Sequence, residues 1–167
     1  MTALEKDGKA TEPLVIGLGS EHRGDDRSGL EVVRALRDRV LGAARLVEGP
    51  ADATALLDLW EGREWVIVVD AVRSGRPPGA VVRLEVAHGE VPGPLGATST
   101  HGLSLADAVE LGRSLGRLPA RLTIFGIEAE ELRVGDRMTP AVAAAVQEVC
   151  GRVLDELGRL SPPIGSA

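Results

Sequence analysis

Two adjacent carboxylates, Asp25 and Asp26, lie in the glycine-bounded segment GLGSEHRGDDRSG (Gly17–Gly29), directly after an apolar run. Like charges this close raise one another's pKa unless a cation, a proton or a hydrogen-bond donor meets them. Such a pair suits acid–base or metal chemistry. The plainer reading is capping of the helix that follows, because aspartate is favoured at and before a helix N-terminus. Two distant residues favour the chemical reading: Asp70 closes the strand-like run WVIVVD, and His101 precedes a second helical pattern.

Two carboxylates and one imidazole, Asp26, Asp70 and His101, make an oxygen and nitrogen donor set. With positions left open it suits a divalent first-row ion such as nickel or zinc. A helix N-terminus disfavours imidazolium, so His101 is expected to be neutral, the form that ligates metals. Asp70 has its own plain alternative as a turn cap, and His101 as a capping or surface residue. His22 reads as a solvated loop residue rather than a fourth ligand, and His88 carries no signal. Glu128, Glu130 and Glu131 follow the last predicted strand and read as a charged, solvated loop. Cys150 falls in an apolar helical stripe and reads as a small core residue, not a nucleophile.

The elements that position these residues follow from periodicity. Pro13–Leu18 is a strand candidate, and Leu30, Val33, Leu36 and Val40 then recur at helical spacing. Ser28 and Glu31 have capping-box spacing, which starts that helix at or just before Ser28. Arg45–Glu48 is a second strand, after which Pro50 opens a helix through Leu56, Leu57 and Trp60. Trp65–Val69 is apolar on both faces, as a central parallel strand requires.

The connection from Asp70 to Ala80 is too short for a helical crossover, so the strand Ala80–Val86 returns antiparallel at a sheet edge. Residues Ala87 to His101 form a long Gly/Pro-rich loop, read as functional. The next helix carries Leu105, Ala108, Leu111 and Leu115 on one face. Arg121–Ile127 is the fifth strand, and Thr139-Pro140 caps a last helix lined by Val142, Val146, Val149 and Val153. The fold class is therefore α/β: a three-layer αβα sandwich around a five-stranded, mostly parallel twisted sheet with one antiparallel edge strand. Ligands of such sheets gather beyond the carboxyl ends of the strands, where the winding reverses. Doubly wound order makes the first and third strands neighbours, which leans the aspartate loop over Asp70.

Composition excludes several partners. The chain has 167 residues, 44% of them hydrophobic, enough for one substantial core. Trp60, Trp65 and Phe125 are its only aromatics and its net charge is -6, which argues against nucleic acid. One cysteine is compatible with a reducing, cytoplasmic interior. No run approaches the length a bilayer requires, and residues 1–12 lack the apolar stretch of a signal peptide. Residues 1–12 and 159–167 are expected to be disordered tails around a single domain, 13–158. Gly17-Leu-Gly19 evokes dinucleotide binding, but His22 stands where the third glycine is needed and two aspartates occupy the place of a pyrophosphate. Glu48, placed to hold a ribose, is the best point in that rival's favour.

Four segments in register, GLGSEHRGDDRSGLEVVRAL, VIVVDAVRSGRPPGAV, STHGLSLADAVEL and IFGIEAEELRVGDRMTPAVAAAV, resemble the hydrogenase maturation endopeptidases over about Pro13 to Leu157. The resemblance implies a five-stranded sheet between helices. It also implies removal of a C-terminal extension from the large-subunit precursor of a nickel–iron hydrogenase once nickel is in place. It puts both the metal-contacting and the catalytic positions on Asp26, Asp70 and His101, with nickel supplied by the precursor. The chemistry implied is water attack on a peptide bond, with Asp26 or Asp70 as general base. A non-catalytic nickel-binding chaperone and a small-molecule α/β hydrolase are the alternatives. Two positions depart from the family pattern: Ser20 replaces a usual Asn, which leaves the loop geometry open, and Ala129 replaces a common Pro, a change expected to loosen its loop.

Overall fold

The computed structural model describes residues 11–50, 52–86, 105–135 and 137–159. Its elements in chain order are β1 (Leu14–Gly17), a 3-10 turn (Gly24–Arg27), α1 (Ser28–Val40), β2 (Arg45–Glu48), α2 (Ala53–Trp60), β3 (Trp65–Val72), β4 (Val81–Val86), α3 (Leu105–Ser114), β5 (Arg121–Glu128) and α4 (Pro140–Gly158). The five strands lie in the order β2-β1-β3-β5-β4, all parallel except β4, which runs antiparallel on β5 at one edge.

Strand alternation sorts the core into two layers. Val15, Ile67, Val69, Phe125 and Ile127 pack against α1 and α4, and Cys150 is buried among them as expected. Leu14, Ile16, Val66, Val68, Leu122 and Ile124 pack against α2 and α3. The predicted stripes of α1 and α4 are buried throughout. Among the described residues, no helix is long and apolar enough to cross a membrane.

Four local expectations are corrected. Strand β3 continues past Asp70 to Val72, because β5 pairs it along its full length. Helix α2 is opened by Asp52, whose side chain accepts from the Ala55 amide at 2.8 Å, and not by Pro50. The Ser28–Glu31 capping box does not form: the cap position is Arg27 without a side-chain bond, and the Ser28 hydroxyl is buried without a partner. On α3 the buried face is Leu105, Ala108, Val109 and Gly112, while Leu111 and Leu115 are 37% and 56% exposed. Leu57 and Leu118 press on Gly112, where an added Cβ would meet Leu118 at 2.9 Å, so the helix turns that side inward.

Candidate active site at the β1/β3 crevice

The winding direction reverses between β1 and β3, and the candidate site is built there. Their ladder ends at Gly17 opposite Val69, and one further bond, from the Leu18 amide to the Val69 carbonyl, closes it at 2.8 Å. Asp70 is the next residue of β3. Its side chain falls on the α2/α3 face and pairs in register with Gly126 of β5, which presents no side chain there.

Glycines bring the aspartate loop down onto this point. A Cβ on Gly29 would sit 2.3 Å from the Val69 carbonyl oxygen and 2.4 Å from that of Leu18, so α1 starts directly against the strand ends. Gly19 adopts a φ of +137°, and a Cβ there would lie 1.8 Å from the Asp26 carbonyl oxygen. The turn is thereby held tight, and the Ser20 amide donates to Asp26 Oδ2 at 3.1 Å. Ser20 thus does its work through the main chain, which its side chain does not alter.

Asp26 and Asp70 are brought together. Burial, first, and the negative charge of Asp26, second, push the Asp70 carboxyl up to about 7, with the Ala71 amide pulling the other way. A carboxyl raised this far toward neutrality is suited to exchanging a proton. His101 lies outside the described residues, as do His88 and the loop Ala87 to His101. Leu105, four residues after His101, is buried in the cluster on the face that carries Asp70. Among the described residues, no group of three or more His, Cys, Asp or Glu is placed to hold a metal ion.

Asp25 is separated from its neighbour. It is fully buried and its carboxylate accepts from the amides of Glu130 (2.9 Å), Glu131 (2.9 Å) and Thr139 (2.7 Å), and from the Thr139 hydroxyl (3.0 Å). Thr139 opens α4, so Asp25 supplies from a distance the cap that Thr139 itself does not make. The two adjacent acids therefore divide: Asp25 pins the turn to the entrance of α4, and Asp26 acts on Asp70. No spacing rule separates them; the 3-10 turn does.

Glu128 overturns the expectation of a solvated acidic loop. It is 3% exposed and accepts from the Ser74 amide (2.8 and 3.0 Å), the Ser74 hydroxyl (2.7 Å) and the Gly75 amide (3.1 Å), which fixes the β3–β4 turn. Glu130 is exposed as expected, and Glu131 pairs with Arg133 at 2.8 Å. His22 is exposed, and its carbonyl accepts from Gly135. The Ala129 amide donates to the Val72 carbonyl at 2.9 Å, so alanine here extends the β3–β5 ladder instead of loosening the loop. Glu48 is bound by Arg34 at 3.0 Å and Arg37 at 2.7 Å, which removes the ribose acceptor of the dinucleotide rival.

This crevice and sheet order can be set beside known proteins. A family model described as hydrogenase maturation protease matches residues 30–156. The chain belongs to the hydrogenase maturation protease family. The Escherichia coli hydrogenase 2 maturation protease is 30% identical over 148 residues, covering 86% of this chain and 89% of that protein. The hydrogenase expression/formation protein HupD of Thiocapsa roseopersicina is 32% identical over 149 residues, which span 81% of this chain but 66% of HupD. Among solved structures, the hydrogenase maturating endopeptidase HybD from E. coli superposes with a TM-score of 0.75 at 28% identity, covering 89% of this chain and 93% of that one. A [NiFe] hydrogenase maturation protease HybD from Thermococcus kodakarensis gives 0.67 at 25% identity, covering 87% and 99%. Maturation proteases of this family are peptidases, and this chain has their α/β fold. The family match starts at residue 30, so it includes Asp70 and His101 but not Asp26.

Proposed function

We propose that this peptidase removes the C-terminal extension of a nickel–iron hydrogenase large-subunit precursor after nickel insertion, and that Asp26, Asp70 and His101 engage the nickel carried by that precursor. The observation that carries this reading is the meeting of Asp26 and Asp70 at the topological switch point, with Asp70 raised to about 7. The negative charge of Asp26 raises Asp70, and a divalent ion presented by another chain would offset that repulsion, which turns an electrostatic penalty into binding energy.

Asp26 is fixed by the Ser20 amide, so the ion meets a positioned oxygen. His101 would add a neutral imidazole donor from the segment that leads into α3. Asp70, with a pKa near the working pH, is the group best matched to take a proton from the attacking water and return it to the departing amine. The water oxygen bonds to the scissile carbonyl carbon, the carbon–nitrogen bond breaks, and the two chain ends leave as carboxylate and amine. The single cysteine, Cys150, is buried and its thiol is pushed up by burial, so no acyl-enzyme on sulfur takes part. We place the reaction in the cytoplasm.

Specificity for the finished precursor follows from the same pair. Without nickel the precursor lacks the cation that these acids would engage, so premature cleavage would be suppressed by lost differential binding. Mass spectrometry of nickel-loaded and nickel-free precursor, before and after incubation, tests this. Loss of the C-terminal extension from the loaded form alone is the expected result. Equal cleavage of both forms removes nickel recognition, and binding of loaded precursor with no shortened product turns the reading into a nickel-binding chaperone.

A further inference from the structure

We propose that Asp25 is a positioning residue for the reaction: it clamps the 3-10 turn to the entrance of α4 and thereby sets where Asp26 meets Asp70. The inference rests on the proposed roles of Asp26 and Asp70. Three layers of contact join the two loops. The Asp25 carboxylate accepts from Glu130, Glu131 and Thr139. The Asp25 amide donates to the Glu131 carbonyl at 2.8 Å, so the residue is tied in both directions. On either side, Arg23 Nε donates to the Leu132 carbonyl at 3.1 Å, and the Gly135 amide to the His22 carbonyl at 2.8 Å.

Within the turn the Asp26 amide donates to the Arg23 carbonyl at 2.9 Å, a local bond that shapes the turn without tying it to α4. Between Gly19 and α1 the turn has no ladder of its own, and Arg27 at the helix start makes no side-chain cap bond. Consecutive residues of a 3-10 turn project about a third of a revolution apart. Locking Asp25 inward therefore dictates the direction of Asp26, and Asp26 in turn collects the Ser20 amide. A carboxylate is the group that can do this, because it accepts from two sides at once with both oxygens. Thr139 is the matching half: its amide and hydroxyl both point at Asp25 at the positive end of a helix of 19 residues.

Asp25→Asn tests the assignment, since it keeps the shape but replaces one acceptor oxygen with a donor facing donors. The folded variant is expected to lose about 10²-fold in kcat on nickel-loaded precursor while KM stays within about twofold, as for a displaced catalytic group. A readout that needs no substrate accompanies it. Hydrogen exchange of the Ser20 amide, expected to be slow in the wild type because Asp26 accepts from it, should become fast in the variant while amides of β3 and β5 stay protected. Thr139→Val, which removes only the hydroxyl half of the clamp, should shift both measurements the same way but less, and Thr139→Ser should restore them. Should Asp25→Asn fail to fold, the Thr139 pair decides. Wild-type kcat in the folded variants overturns the proposal, and so does a lost kcat with Ser20 exchange unchanged. If wild-type protein itself leaves the precursor intact, the proposed function fails, whereas Ser20 exchange still reports on the clamp.

Discussion

Asp70 and Glu128 occupy comparable places and have opposite surroundings. Both lie toward the carboxyl ends of adjacent parallel strands and, by strand alternation, on the same face of the sheet; Glu128 pairs across the ladder with Val72, two residues beyond Asp70. Glu128 is met by two amides and a hydroxyl, all from the turn it fixes. Asp70 is met by the Ala71 amide and by another acid, Asp26, and its pKa rises to about 7. A buried carboxylate stabilises a fold when donors surround it and burdens the fold when they do not. A burden kept in one place, beside a satisfied acid of the same chemistry, is what the proposed engagement of the precursor's nickel would relieve.

Exchanging the acids for amides breaks the comparison most sharply on the Asp70 side. Asp70→Asn and Asp26→Asn are each expected to lower processing by on the order of 10²–10⁴-fold without unfolding the protein, and His101→Ala likewise. The assay is cleavage of nickel-loaded precursor, with circular dichroism as the control for folding. Efficient cleavage by a folded His101→Ala variant would take the histidine out of the scheme.

On the other side the effect should fall on stability. Glu128→Ala leaves the Ser74 and Gly75 amides without their acceptor, and a loss of about 2–3 kcal/mol in urea denaturation is expected. The fraction that remains folded should cleave at close to the wild-type rate. A large drop in its kcat would place Glu128 in the reaction and erase the contrast with Asp70.

The same contrast has a pH signature in the metal-free protein. Asp70 titrates near 3.8 in an unfolded chain and near 7 in the fold, so between these values the folded state holds more protons. Stability from this group is fully present below pH 3.8 and is lost as pH rises through 7. Asp70→Asn removes the penalty: its melting temperature should exceed wild type by a few degrees at pH 8, at about 2–4 °C for each kcal/mol, and the gap should close toward pH 4. An Asn variant less stable than wild type at pH 8 would mean that the carboxylate is compensated after all.

The sequence carried the frame of this site more fully than its interior. The mostly parallel five-stranded sheet, the antiparallel edge strand β4 and the neighbouring placement of β1 and β3 were legible because strand composition, loop length and winding rules constrain them strongly. The division of labour between Asp25 and Asp26 was not, since it depends on which way a four-residue turn faces. Glu128 was misread as solvated because its donors, Ser74 and Gly75, come from a loop more than fifty residues earlier. The exposed Leu111 was misread for a related reason: Gly112, apolar by absence, takes the inward position through its contact with Leu57 and Leu118.

The smallest effect is expected where this chain departs from the family pattern inside the aspartate loop. The resemblance implies Asn where this chain has Ser20, yet the bond that reaches Asp26 comes from the main-chain amide. An amide is present in either residue, and Ser20 itself does not need a left-handed backbone. Ser20→Asn should therefore change stability by less than about 0.5 kcal/mol, as at surface positions outside special contacts. Its kcat on nickel-loaded precursor should also stay within about twofold of wild type, well short of the loss a misplaced catalytic group causes. A tenfold gain would instead show that the asparagine side chain has a place in the substrate complex which serine leaves vacant. That result would shift the weight of the comparison from the two acids to the loop that carries one of them.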